Sequence, residues 1–181
     1  MLTLQQQLVQ QSFANGYELI DGVAMHDENG DRFQIPHPVL KKYLAPGHFV
    51  ELRVDSPRFS VHEDAPEKCP CETCAGEMFK PVLRHEHPAT LVPLPVQDVP
   101  SRGWGEDFWV RVVERDNMFF RGVIDNPLHE SKLHELQPGD EIVFHANNVL
   151  AVHGSHREEI VLGMKRADVF KLVEWLEQSS E

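Results

Sequence analysis

Basic residues are scarce in this 181-residue chain: 17 Lys and Arg stand against 29 Asp and Glu, a formal net charge of −12. A nucleic-acid binder needs a basic face to neutralise phosphates, and no local stretch supplies one. Long apolar runs are missing too. None approaches the roughly 20 residues of a membrane span, and Met1-Leu-Thr-Leu-Gln-Gln-Gln7 has neither a basic n-region nor an apolar h-region. The chain is therefore expected to be soluble and cytoplasmic. There is no G-x-S-x-G elbow, no phosphate-cradling glycine loop and no H-E-x-x-H helix. What is present, 41% hydrophobic residues, is enough for the core of one domain.

Leu4, Leu8, Val9 and Phe13 recur at helical spacing, and Asn15-Gly16 supplies a stop, which predicts an amphipathic helix over residues 2–14. Tyr17 to Met25 and Arg32 to Ile35 flank Asp27-Glu-Asn-Gly30, the signature of a hairpin. Val39 to Leu44 reads as a helical turn and His48 to Val54 as an alternating strand. A second hairpin is predicted over Phe108–Glu114 and Met118–Ile124, with Gly122 able to accommodate a bulge. Pro127 to Leu136 reads as a loop or short helix, Glu141–Phe144 as a strand, and Val149–Val152 and Ile160–Leu162 as further strands. In the closing helix Val169, Leu172, Val173 and Leu176 are placed on the inner face, with Asp168 in the first turn.

Residues 55–105 are different. They hold eight of the 13 prolines and all three cysteines. Proline removes backbone donors, so only short edges such as Met78–Leu83 and Thr90–Leu94 are expected to pair. The cysteines form one cluster, Cys69-Pro-Cys-Glu-Thr-Cys74. Thiolates this close repel one another unless a cation neutralises them, and zinc accepts three sulfurs and one imidazole as a closed tetrahedral set. The alternative is incidental or redox cysteines; a disulfide fits the odd count poorly. His62, seven residues before Cys69, is the favoured fourth ligand, with His85 and His87 close behind. Pro70-Cys-Glu-Thr-Cys74 also matches half of a zinc-deaminase signature. However, His62-Glu63-Asp64 puts Asp where the catalytic Glu belongs, and the halves lie too near each other. His145, His153 and His156 are a further potential metal set, ordinary loop histidines being the simpler reading. Trp104, between Gly103 and Gly105, is a candidate exposed aromatic, whereas Trp109 is expected to pack across strands.

One internal echo stands out. Ile35-Pro-His-Pro38 and Leu44-x-Pro-Gly-His-Phe-Val50 are paralleled by Ile124-Asp-Asn-Pro127 and Leu136-x-Pro-Gly-Asp-Glu-Ile142. Either two related β units pack together, or the match only reflects how common Pro-Gly turns are before strands.

Trp109-Val-Arg-Val112, Gly122-Val-Ile-Asp-Asn-Pro127, Leu136 and Gly139-Asp-Glu-Ile-Val-Phe144 resemble a family of uncharacterised bacterial domains. The pattern of that family runs W-V-x-V, then G-x-(I/L)-x-N-x-P, then G-D-x-(I/V)-x-F, and similar domains occur among immunity proteins of bacterial toxin systems. The resemblance covers about residues 106–152, with a weaker echo over 31–54. It departs where Asn126 is followed directly by Pro127. It implies an α+β fold around a small curved sheet, and no catalytic residues.

The sequence thus predicts one compact α+β unit with a mainly antiparallel curved sheet or small barrel-like units. Helices stand at both ends, and a zinc-stabilised irregular insertion (55–105) separates strand-rich parts at 1–54 and 106–181. The metal set is Cys69, Cys71, Cys74 and His62, holding a structural zinc ion. The expected role is a non-enzymatic binding or accessory module, immunity-like, whose acidic surface meets a partner protein with a basic surface. The partner is neither nucleic acid nor membrane. A zinc-dependent hydrolase or deaminase-like enzyme is the alternative.

Overall fold

A computed structural model describes residues 2–56 and 105–178 of the chain. The zinc set of Cys69, Cys71, Cys74 and His62, the alternatives His85 and His87, the edges Met78–Leu83 and Thr90–Leu94, and Trp104 all lie outside the described residues. The fold is α+β: six antiparallel strands form a curved, nearly closed sheet, with helices at both ends.

Helix α1 (Leu4–Gln10) starts on a capping box in which Gln6 N–H donates to Thr3 Oγ1 and Thr3 N–H to Gln6 Oε1. It is shorter than the predicted 2–14 because Gln11 is recruited elsewhere. The Gln11 amide accepts from Val143 N–H and donates to Val143 C=O, both at 2.8 Å, so a side chain stands in for a strand at the sheet edge.

The predicted hairpin over 17–35 is replaced by a short strand β1 (Glu18–Leu19) and a helix α2 (Gly22–Asn29). The reason is capping. Asp21 Oδ1 accepts Ala24 N–H at 3.0 Å, and Gly30, at φ +59°, closes the helix by donating its N–H to His26 C=O. The Asn-Gly pair is a helix terminator here, a conformation it serves as readily as a hairpin turn.

Helix α3 (Pro38–Lys42) leads into strand β2 (Phe49–Asp55). Strands β3 (Glu106–Asp116) and β4 (Phe119–Ile124) form the expected hairpin, turning at Asn117. Their register slips between Val112 and Glu114, opposite Gly122, where a Cβ would collide with Val110 and the Arg111 carbonyl. Helix α4 (Ser131–His134) and strand β5 (Glu141–His145) follow, then β6 (Ala151–Val152). The sheet order is β1-β2-β3-β4-β5, and β6 also pairs with β2. Strands from 1–54 and from 106–181 thus share one sheet through the β2–β3 pairing.

Alternation sends Val50, Leu52, Val54, Phe108, Val110, Phe120, Ile142 and Phe144 into one core cluster. Trp109 points to the opposite face, half-buried, and meets the His153 ring edge-on at 5.2 Å.

Ile160–Leu162, predicted as a strand, is the end of helix α5 (Gly154–Leu162). Helix α6 (Arg166–Gln178) buries Leu172 and half-buries Val169, but Val173 and Leu176 are 43% and 51% exposed. The predicted apolar stripe therefore faces the core only in part. A carboxylate sets the orientation: Asp168, buried, accepts Lys42 Nζ at 2.7 Å and Tyr43 O–H at 2.6 Å and so rotates α6 onto α3. No helix among the described residues is long and apolar enough to cross a membrane.

The sequence echo is also a structural one. Each copy places a short helix before a buried leucine, Leu44 or Leu136, and then a Pro-Gly turn into a strand. Gly47 and Gly139 take φ values of +96° and +94°. Gly47 N–H donates to Val112 C=O and Gly139 N–H to Ile124 C=O, both at 2.8 Å, and the His48 and Asp140 amides close their turns on Ala45 and Gln137 at 3.1 Å. The residue after Pro-Gly caps the turn with its side chain in both copies: Ala45 N–H donates to His48 Nδ1 at 3.1 Å, and Gln137 N–H to Asp140 Oδ2 at 2.8 Å.

Candidate metal centre

The His48 turn brings its side chain, only 8% exposed, to the start of α5. That helix begins where His153 accepts Ser155 N–H on Nδ1. His156 and Glu159, three apart, lie on one helix face. The carboxylate Oε2 of Glu159 sits 3.8 Å from His48 Nε2 and 3.9 Å from His156 Nδ1. The two imidazoles stack with centroids 4.9 Å apart, and Phe49 also stacks on His156 at 5.7 Å.

This is a group that can hold a metal ion: one ligand atom from each residue lies within 4.8 Å of the others. Two imidazoles and a carboxylate suit a late first-row divalent ion. Tetrahedral ligation at about 2.0–2.1 Å needs ligand atoms about 3.4 Å apart, so the group must contract slightly. Glu159, with a side chain 72% exposed, has the freedom to do so. His156 Nε2 is buried without a hydrogen-bond partner among the described residues.

Electrostatics favour a neutral His48. Burial and the neighbouring His156 hold it below the usual histidine range, against the pull of Glu159. Its tautomer follows from its neighbour. Because Nδ1 accepts the Ala45 N–H, the ring proton sits on Nε2, the atom facing Glu159.

Two other buried ionisable groups stand apart from this cluster, one with a structural duty and one without. Glu106 accepts the backbone N–H groups of His129 and Glu130 and, at 2.9 Å, His134 Nε2–H. His134 is fixed in that tautomer because Nδ1 accepts Leu136 N–H. Burial would raise the Glu106 pKa, but these hydrogen bonds outweigh it and hold the carboxyl below its ordinary value. Lys41 is 3% exposed, and its Nζ has no hydrogen-bond partner among the described residues. Burial lowers its pKa to about 8, despite the attraction of Asp21.

Of the further set His145, His153 and His156, only His156 joins the cluster. His145 and His153 cap turns, accepting the N–H groups of Asn147 and Ser155. Sequence reasoning misses His48 because 108 residues separate it from His156, and misses Glu159 because this segment reads as loop and strand rather than as helix α5. One signal existed: the echo aligned His48 with Asp140, the position at which two otherwise matching turns differ.

Comparison with known protein families, with curated proteins and with solved structures finds no match for this chain.

Proposed function

We propose that the protein is a non-enzymatic, metal-dependent binding module that takes a zinc-class ion at His48, His156 and Glu159. The observation that carries this reading is the convergence of two imidazoles and a carboxylate from two distant segments. A catalytic metal requires a preorganised shell, whereas the carboxylate arm here reaches out into water. Such an arm suits an ion taken up and released. The net charge of −12 suits a partner protein with a basic surface, and the turn-and-core resemblance to immunity-like bacterial domains points to work through protein contacts. The cysteine set with His62 is proposed as a separate, structural zinc site.

A second reading is a zinc-dependent hydrolase. It is favoured by the three-ligand set, which leaves a fourth position for water, and by a hollow of about 330 Å³ lined by Phe49, Trp109, Asp125, Asn126, His153 and Ser155.

Metal content of the purified full chain, equilibrated with zinc, tests the first reading. Two ions per chain are expected, falling to one in the double variant His156→Ala with Glu159→Gln. An unchanged count in that variant overturns it. Hydrolysis of activated esters that is zinc-dependent and lost in the same variant would move the assignment to the second reading.

A further inference from the structure

We propose that a zinc ion at this centre and the cap of the Pro46-Gly47 turn compete for the same histidine, so that ion binding releases the turn that opens β2. The inference rests on the metal reading above and concerns how the site is regulated.

An imidazole offers two nitrogens, and in the neutral ring only one has a free lone pair. At His48 that lone pair is on Nδ1 and is used by Ala45 N–H at 3.1 Å. The Nε2 atom, 3.8 Å from the Glu159 carboxylate, carries the proton. Coordination through Nε2 needs the lone pair there, so the proton must pass through solvent from Nε2 to Nδ1. The ring stays neutral and no proton is lost overall. Its Nδ1–H then faces the Ala45 N–H, donor against donor, and one of them must withdraw.

The other copy of the turn shows what is at stake. Asp140 caps the same frame, with the same glycine conformation and the same bonds to the neighbouring strand, and an aspartate brings no second nitrogen. Capping alone therefore does not call for histidine. What His48 adds is a nitrogen aimed at Glu159 and stacked beside His156. The Gly47 N–H to Val112 C=O bond lies next in line, so a loosened cap reaches the first rung of β2.

Amide hydrogen exchange of the full chain, resolved by NMR with and without saturating zinc chloride, tests this. Protection of the Ala45 amide should fall about tenfold with zinc, while that of Gln137 stays constant. In the His48→Asn variant, whose amide oxygen can keep the cap without offering a ring nitrogen, Ala45 should not respond and zinc should bind more weakly. If zinc binds in a manner lost in the Glu159→Gln variant while Ala45 stays protected, the competition is overturned and the metal centre stands. If zinc binding is indifferent to Glu159→Gln and to His156→Ala, both readings fall.

Discussion

The two Pro-Gly turns share a backbone frame and differ in one capping side chain. The Asp140 turn is self-sufficient: its carboxylate accepts one amide, and its preceding helix α4 is held by Glu106. The His48 turn uses a weaker acceptor that is buried and looks two ways. Its preceding helix α3 is held from the far end of the chain by Asp168. The frame is set by glycine and the strand bonds, so the capping position is free to take on another task. One copy spends that freedom on nothing more than capping.

The sharpest way to break the comparison is at the helix anchors. Glu106→Ala strands the buried His134 Nε2–H and two backbone N–H groups. It should cost about 3 kcal/mol or more in chemical denaturation. Asp168→Ala should cost less, since its partner Lys42 is half in water; equal losses would erase the asymmetry between the units.

Lys41, on the first unit's helix, has no counterpart in the second. Its pKa in the folded chain, about 8, lies below the ordinary 10.5. Between those values the unfolded chain binds a proton that the folded chain has shed, so stability should rise with pH across that window. At neutral pH the buried charge is a burden. Lys41→Met should raise stability by roughly 2 kcal/mol at pH 7 and flatten that rise, as followed by urea midpoints at several pH values.

Gly47→Ala and Gly139→Ala sharpen the likeness. Both sites have positive φ and no heavy atom within 4 Å of a new Cβ. The two losses should match, at about 1 kcal/mol each in thermal unfolding. Unequal losses would mean that the frames differ. At the caps, Asp140→Ala should also cost about 1 kcal/mol, and Asp140→His, the smallest effect, about half of that or less.

The sheet was largely legible. The β3–β4 hairpin and strands β2 and β5 follow from alternation, because inward residues such as Val50, Leu52, Val110 and Phe120 must all lie on one face. The helices were read less well, since short helices are fixed by local competition. Asp21 and Gly30 turned an apparent hairpin into α2, and Gln11 cut α1 short by bonding Val143. The orientation of α6 hinged on a buried carboxylate that periodicity cannot weigh.

The sequence by itself determined the β3–β4 hairpin, strands β2 and β5 and the places of the two Pro-Gly turns, because those depend on neighbours within a few residues. It also exposed that His48 and Asp140 occupy matching places. Only the tertiary structure decided what His48 faces. Glu159 and His156 reach it because α5 packs beside the start of β2, and contact between residues so far apart in the chain is a property of the packed fold.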